Sequence, residues 1–404
     1  MEIVKAAFTV WGREFYKTTS LTRLARELGV TKPALYRHFA SKEALLDAMI
    51  TYYFDTYANY AKPYMEAALT TGNLVQGLRI LVRAVADFNF RNRYFFIFSL
   101  MQMYDGRKPD IAIRELRRRG MDLTRLEALD SGDGYPHLLQ LAMVASGFFV
   151  AVLLKGQGEQ SELSFAEELS EKKIEKFIAF VEKKIFHGLG FNKEAVEALD
   201  FDALEARLPR TMFAGETDGG LLKAVAGVVA EAGPWNASMD MVARRSGLSK
   251  SSLYSHFRNK QDMLAQLFLL EFDRLGKYVK ASVQQGGKTL EQLYLALLAT
   301  ADYLRSRPEI LVTMDWIRTR RIELGITPSQ DILTVFSGIP ALTRFDKELH
   351  PNWVFYWILF LIIGTLMRCP SGSARRRRTP LSNNDLPDSA FRKVFRFITL
   401  GIEG

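Results

Sequence analysis

Cysteine is nearly absent from this sequence of 404 residues, which contains one cysteine, Cys369. A single cysteine excludes an internal disulfide framework and is typical of proteins in a reducing compartment. Histidine is also scarce, and the five histidines form no H-E-x-x-H pair of the kind found in zinc proteases. The sequence also lacks a G-x-S-x-G motif, a phosphate-binding glycine loop and a metal-spaced pair of cysteines. We therefore expect no enzyme, no cofactor and no metal site.

Long apolar runs are missing as well. The most apolar segment, residues 353–367, is shorter than the roughly 20 residues that a membrane helix needs. The first residues, MEIVKAAFTVWGREF, have neither the apolar core nor the cleavage site of a signal peptide. We expect a cytoplasmic protein with no membrane partner. The alternative is a protein anchored by a spanning helix, which recovery only with detergent would support.

The periodicity of the apolar residues predicts helices and no strands. Apolar residues recur at spacings of three and four in residues 74–88, 174–185 and 290–304, and no alternating pattern is sustained. The net charge of +9 and the pI near 9.4 are compatible with a polyanionic partner, although charge alone is a weak signal. The sequence therefore predicts an all-α protein.

An internal repeat organises the chain. Residues 20–46 align with residues 238–264 at a constant offset of 218 and without a gap; we call them the first and second copies. Eleven of the 27 aligned positions are identical, where average residue usage gives about two. Weaker similarity follows downstream: residues 73–88 resemble 289–304, the apolar run 138–154 takes the place of 353–367, and 174–180 align with 391–397. The chain is thus a tandem duplication.

Each copy carries the local signals of two short helices joined by a tight turn. Ser20 is placed to cap a helix, and Gly29 to end it in a left-handed conformation. Thr31 is placed to cap a second helix, with Pro33 near its start, where a missing N–H costs little. The second copy has the same signals at Ser238, Gly247 and Ser249. This pattern predicts a helix-turn-helix, whose second helix enters the major groove of DNA.

The outward residues of each second helix, with the caps, are the candidate DNA contacts, because their side chains suit phosphate oxygens and base edges. In the first copy they are Ser20, Thr31, Lys32, Ala34, Tyr36, Arg37, His38 and Lys42. In the second copy they are Ser238, Ser249, Lys250, Ser251, Ser252, Tyr254, Ser255, His256 and Lys260. Lys42 and Lys260 begin the next helix, where free N–H groups favour a phosphate and the lysine adds a mobile cation.

Other interpretations of these residues stay open at this point. Tyr36 and Tyr254 suit packing against a neighbouring helix, and His38 and His256 suit the core. The apolar residues on the inner face are core residues: Leu24, Leu35, Phe39, Val242, Leu253 and Phe257. The run Arg375–Arg378 is best interpreted as a solvated loop, with a second phosphate contact as the alternative.

Both copies resemble the DNA-binding domain of the TetR family of bacterial repressors. The resemblance covers about 50 residues in each half. It is specific, because the glycine, the Tyr-x-His-Phe motif and the later lysine all fall at the family spacing. One departure is Phe15, where the family often has the glycine that Gly233 supplies in the second copy. The resemblance implies a three-helix DNA-binding domain followed by a helical domain for ligand binding and dimerisation.

Two such units in one chain imply an intramolecular pseudo-dimer. We predict helix-turn-helix domains at residues 1–47 and 219–265, helical regulatory domains at 48–190 and 266–404, and a linker at 191–218 that contains one acidic helix over 193–207. The apolar runs 138–154 and 353–367 are expected to pack together in a helical bundle. Association of two chains into a higher oligomer stays open.

The predicted function is that of a ligand-responsive transcriptional repressor. Its partner is a double-stranded operator with two non-identical half-sites, and Arg37 is expected to strengthen binding by the first copy. On one face of DNA, paired recognition helices lie about 34–36 Å apart. The ligand is expected to be small and apolar or aromatic. Its candidate pocket residues are Phe95, Phe96, Met101, Tyr104, Met314 and Trp316, for which packing in the core is the alternative.

Overall fold

A computed structural model describes residues 2–13, 20–103, 111–121, 124–128, 136–155, 169–210, 212, 220–311, 314, 351–367 and 386–404 of the chain. Within these ranges the regular elements are α-helices, which confirms the predicted all-α fold. In chain order they are α1 (Glu2–Arg13), α2 (Leu21–Glu27), α3 (Lys32–His38), α4 (Lys42–Thr70), α5 (Leu74–Arg91), α6 (Arg93–Met103), α7 (Ile111–Arg118), α8 (Thr124–Glu127), α9 (Leu138–Lys155), α10 (Glu171–His187), α11 (Lys193–Glu197), α12 (Phe201–Ala206), α13 (Gly220–Asn236), α14 (Met239–Ser246), α15 (Lys250–His256), α16 (Lys260–Val283), α17 (Thr289–Ser306), α18 (Pro351–Leu366) and α19 (Ser389–Leu400).

The chain forms two compact units. Unit 1 consists of Met1–Gly132 and Phe149–Glu182, and unit 2 consists of Asp133–Phe148 and Lys183–Gly404. The boundaries fall inside α9 and α10, so each of these helices supplies residues to both units. Unit 1 contains the first copy of the repeat and unit 2 contains the second copy. The domain boundaries given above stay predictions.

The repeat continues into the long helices that follow each copy. In unit 1 the Tyr60 hydroxyl of α4 donates to Asp87 of α5 at 2.6 Å. In unit 2 the Tyr278 hydroxyl of α16 donates to Asp302 of α17 at 2.8 Å. Tyr60 and Tyr278 are separated by the same 218 residues as the two copies. A tyrosine at the matched position therefore links the equivalent pair of helices in each unit.

Further buried contacts stabilise each unit. In unit 1, Phe95 of α6 packs on Phe8 of α1, with ring centroids 4.5 Å apart. In unit 2 the buried carboxylate of Glu271 accepts a hydrogen bond from the Tyr303 hydroxyl at 2.7 Å. The same carboxylate lies 3.2 Å from Arg274 and 3.5 Å from Arg307. Glu271 therefore joins α16 to the end of α17 through buried polar contacts.

The segment between the halves corrects one prediction. A single helix over 193–207 is wrong, because two short helices, α11 and α12, occupy this region. Asp200 breaks the helix, since its side chain accepts the Ala203 N–H at 3.0 Å and caps α12. Phe201 then packs 4.8 Å from the ring of Tyr294, and Arg392 binds Glu205 at 2.7 Å. This part of the predicted linker is folded onto unit 2.

The two apolar runs meet in unit 2. The ring of Phe148 lies 5.2 Å from that of Phe360 on α18, and Gln140 donates to the Gly364 carbonyl at 2.8 Å. A Cβ on Gly364 would lie 3.2 Å from Val144, so the two helices approach closely there. The predicted packing of these two runs is thus present for the part of α9 that belongs to unit 2. Among the described residues, no helix combines the length and apolarity needed to cross a membrane.

The ends of α10 and α19 hold each other in unit 2 through a reciprocal contact. The segment after each helix donates backbone hydrogen bonds to the last turn of the other helix. The four bonds, donor first, run from Leu189 to Ile398 (2.8 Å), Phe191 to Thr399 (3.2 Å), Ile402 to Ile185 (3.1 Å) and Glu403 to Phe186 (3.1 Å). This exchange holds the ends of the two helices together within unit 2.

Glycine is required at the reciprocal contact. Gly188 and Gly401 both have positive φ, at 57° and 78°. A Cβ on Gly188 would lie 2.5 Å from the carbonyl oxygen of Ile398, and one on Gly401 would overlap the backbone of Phe186. The two chain segments can approach this closely only because neither glycine carries a side chain.

Candidate nucleic-acid interface

The predicted caps and turns of both helix-turn-helix modules are present. Ser20 accepts the Arg23 N–H at 3.1 Å and begins α2, and Thr31 accepts the Ala34 N–H at 3.3 Å and begins α3. Gly29 has the left-handed φ of 65°. In the second copy, Ser238 caps α14, Ser249 caps α15 and Gly247 has a φ of 71°. Gly233 has a φ of 72°, whereas Phe15 lies outside the described residues.

Helix α3 presents its predicted contact residues to solvent. Lys32, Arg37 and His38 are exposed, as are the caps Ser20 and Thr31, and Ala34 is half-buried. Tyr36 keeps 43% of its surface, which is high for an aromatic residue. Leu35 on the opposite face is fully buried, and Phe39 is half-buried. One face of α3 therefore packs into the module while the other faces solvent.

Helix α15 has the same arrangement in unit 2. Tyr254 keeps 48% of its surface, and Leu253 opposite is fully buried. The other polar residues of this face are exposed or half-buried: Ser238, Ser249, Lys250, Ser251, Ser252, Ser255 and His256. The interpretation of His38 and His256 as core histidines is wrong, since both are exposed. Tyr36 and Tyr254 are exposed as well, and their contact with DNA stays a prediction.

The helices that follow, α4 and α16, begin with capped N-termini beside the recognition helices. Ser41 accepts the Ala44 N–H at 3.1 Å, and Asn259 accepts the Asp262 N–H at 2.9 Å. Lys42 and Lys260 are half-buried, and burial lowers the pKa of each. Both lysines are therefore partly shielded from solvent, and their contact with a phosphate stays a prediction.

Charge distinguishes the two recognition helices. The Lys32 ammonium lies 5.7 Å from the centre of the Tyr36 ring, a cation–π distance. The matched Lys250 instead pairs with Asp240 at 2.9 Å, and this hydrogen-bonded carboxylate raises the pKa of Lys250. Arg37 is matched by Ser255. The first copy thus presents more uncompensated positive charge on its recognition helix than the second.

Sequence reasoning missed two arginines that lie beside the predicted contacts. Arg23 is exposed on α2, and Arg258 is exposed in the turn before α16. The Arg258 N–H donates to Asp262 at 2.8 Å, which lowers the pKa of that carboxyl and orders the turn. The signal available in the sequence was the place of Arg258 directly after Phe257, where the first copy has Ala40.

The predicted pocket residues contribute to packing where they are described. Phe96 and Met314 are buried, at 4% and 2% exposure, and Phe95 is half-buried against Phe8. The side chain of Met101 and all of Tyr104 and Trp316 lie outside the described residues, as does Arg375–Arg378. In the described ranges, no three His, Cys, Asp or Glu side chains come together as a set that could hold a metal ion. The ligand pocket stays a prediction.

Comparison with known families identifies both modules. The family of bacterial regulatory proteins called tetR matches residues 3–49 and again residues 221–267. The chain carries two TetR-family domains. These matches confirm the resemblance predicted from the sequence, together with the tandem arrangement of two TetR-like units in one polypeptide. Each match spans the three helices of a module, α1–α3 or α13–α15, and the start of the long helix that follows.

Individual proteins are similar to parts of this chain. YuxN of Bacillus subtilis (strain 168), an uncharacterized HTH-type transcriptional regulator, is 40% identical over 53 residues, which are 13% of this chain and 18% of YuxN. Similar solved structures each cover 45% of this chain at low TM-score. They include FadR from Bacillus subtilis in complex with stearoyl-CoA (17% identity, 98% of that chain, TM-score 0.36), FadR from Bacillus halodurans (17%, 94%, 0.34) and PfmR from Thermus thermophilus (20%, 96%, 0.32).

Proposed function

We propose that this protein is a sequence-specific transcriptional repressor that binds both half-sites of one operator with a single chain. The observation that carries the proposal is the pair of matched helix-turn-helix modules, each with an anchored recognition helix whose polar face is exposed. Tyr36 and Tyr254 support it most directly, because both are exposed at matched places on the two recognition helices and a tyrosine hydroxyl can contact a phosphate. The bound protein is proposed to repress transcription by occupying a promoter. A cytoplasmic location of the protein, where the DNA lies, belongs to the same proposal.

The single-chain pseudo-dimer is the part of the proposal that concerns stoichiometry. Helix-turn-helix proteins commonly bind a two-part operator with two recognition helices, one from each chain of a dimer. Here one polypeptide contains both recognition helices. The reciprocal contact between the ends of α10 and α19 supports this arrangement, because isologous contacts are those of a twofold interface. We expect one chain to occupy one operator.

The half-sites are proposed to differ in sequence. The recognition helices share Lys, Leu, Tyr, His and Phe but differ at Pro33, Ala34 and Arg37, whose counterparts are serines. Arginine can donate two hydrogen bonds to guanine, whereas serine hydroxyls bind several bases. The first copy should therefore prefer a narrower set of sequences than the second.

Enrichment of bound sequences from a random duplex pool tests the proposal. The full chain should select a two-part motif at low salt, and its affinity should fall by about 10³–10⁵ between 50 and 200 mM salt if six to ten phosphates are contacted. Tyr36→Ala should erase information from one half of the motif, and Tyr254→Ala from the other half. Failure to enrich any motif would refute sequence-specific recognition. Loss of both halves in either variant would contradict the assignment of one half-site to each copy.

Control by a small apolar ligand is the regulatory part of the proposal. A ligand can shift the protein toward a weakly binding state only if it binds that state better. The contacts of Phe8 in α1 with Phe95 and Phe98 in α6, at 4.5 and 4.8 Å, support a path from the helical domain to the first module. A panel of apolar and aromatic compounds should contain members that release the enriched duplex. Release that requires no saturable binding to the protein would count against this part.

A further inference from the structure

Asp240 and Lys250 form an exposed ion pair within the second module. Asp240 lies in the first turn of α14, and Lys250 is the first residue of the recognition helix α15. The Lys250 ammonium lies 2.9 Å from one carboxylate oxygen of Asp240 and 3.2 Å from the other. Both side chains are 55% exposed, so the pair lies at the surface that the recognition helix presents.

The first module has no counterpart of this pair. The residue matched to Asp240 is Thr22, which is exposed at the start of α2. Within the described residues, Lys32 faces the Tyr36 ring and no carboxylate. The two modules therefore share the lysine but differ in whether a carboxylate holds it.

The carboxylate changes what the lysine can do on DNA. A phosphate contact by Lys250 must displace or share the interaction with Asp240, and a shared lysine leaves a carboxylate close to the phosphate. An exposed ion pair of this kind is weak, so a phosphate can compete with it, but the competition lowers the gain from the contact. Lys32 meets no such competition from the residues that the structure describes.

We propose that Asp240 sets the relative strength of the two half-sites by weakening the phosphate contact of the second module. The inference rests on the proposed function, since it assigns unequal tasks to the two half-sites. The first module then supplies most of the salt-sensitive affinity, because Lys32 makes the phosphate contact that Asp240 weakens at Lys250. The second module draws a smaller share of its affinity from phosphates. The operator is then bound as one strong and one weak half-site, and Asp240 makes binding at the second half-site the weaker of the two.

A reciprocal exchange of the two matched residues tests this proposal on the enriched duplex. Asp240→Thr should tighten binding by about 3- to 10-fold at 50 mM salt. One added phosphate contact should also steepen the slope of log affinity against log salt by about 0.9, so the gain shrinks about threefold to fourfold by 200 mM. Thr22→Asp should have the opposite effect and weaken the first half-site.

Two controls separate a local effect from a change in net charge. Asp273→Thr removes the same charge from an exposed pair with Lys277 on α16, at 2.7 Å, away from the recognition helix. It should leave affinity and slope nearly unchanged. In a Lys250→Ala background, Asp240→Thr should lose its effect on affinity, because the carboxylate then has no lysine to hold.

The outcomes distinguish this inference from the proposed function. If the wild-type chain enriches a motif but Asp240→Thr matches Asp273→Thr, the inference fails while the proposed function stands. Weaker binding by Asp240→Thr would also overturn it and would assign Asp240 to a base contact, since a carboxylate can accept from cytosine. If the wild-type chain enriches no motif, the proposed function itself fails.

Discussion

Replacing Gly188 by alanine should destabilise unit 2 far more than an ordinary glycine substitution. Gly188 is buried at the reciprocal contact, with a φ of 57° and the Ile398 carbonyl oxygen 2.5 Å from where a Cβ would lie. A side chain in the left-handed region costs roughly 1–2 kcal/mol. Moving the segments apart would break the Leu189–Ile398 hydrogen bond of 2.8 Å, and each buried group left unpaired costs about 1–3 kcal/mol. We expect a total loss of about 3–5 kcal/mol.

Gly190 provides the matched control for this prediction. Its φ is 75°, but a Cβ there would meet nothing within 4 Å, and the residue is exposed. Gly190→Ala should therefore pay the conformational term alone, about 1–2 kcal/mol. The comparison between the two variants removes the contribution of backbone strain and isolates the reciprocal contact.

Urea unfolding of the full chain measures the difference. The midpoint for Gly188→Ala should fall well below that for Gly190→Ala, which should lie slightly below the wild type. Amide hydrogen exchange should speed up at Leu189 and Ile402 in Gly188→Ala and stay slow in Gly190→Ala. Equal midpoints for the two variants would refute the reasoning, because the close approach would then contribute nothing to stability.

Three further predictions concern the modules and the interior of unit 2. Ser249→Ala removes the cap of α15 and should lower stability by about 1 kcal/mol, with weaker duplex binding, whereas Ser251→Ala should leave the urea midpoint unchanged. Glu271→Leu removes the buried carboxylate that accepts from Tyr303 and pairs with Arg274 and Arg307, and it should cost about 3–5 kcal/mol by urea unfolding; a neutral result would mean that this carboxylate adds no net stability. The Arg258 N–H lowers the pKa of Asp262 below its usual 3.8, so this contact stabilises the turn above about pH 4 and is lost as the pH falls further. Amide exchange at Arg258 should therefore accelerate at low pH in the wild type. Asp262→Asn should remove that pH dependence.

The local structure of the helix-turn-helix modules could be predicted because its causes lie within a few residues of each other. Ser20, Thr31 and Gly29 act on the nearest backbone N–H groups or on their own φ, so their types and spacing predict the caps and the turn. The outward and inward faces of α3 follow from helical periodicity in the same way. The constant offset of 218 then transferred each of these predictions to the second copy.

Local sequence signals were insufficient where a single residue ends a helix. The acidic pattern over 193–207 has helical periodicity throughout, yet Asp200 caps a new helix because its side chain binds the Ala203 N–H. An aspartate side chain can bind nearby backbone N–H groups in any sequence. Whether it ends a helix depends on the packing that stabilises the broken form. Here Phe201 packs against Tyr294, which is 93 residues later in the chain.

The order of residues was enough to predict the duplication, the helical class, the two helix-turn-helix modules and the residues on their outer faces, since these depend on short-range backbone bonding and periodicity. It did not predict which side chains meet across long separations in the chain. The pairing of Lys250 with Asp240, the ion pairs around Glu271 and the reciprocal contact between α10 and α19 all depend on how helices are placed. The free energy of such contacts comes from desolvation and geometry in three dimensions, which residue types and spacing do not specify.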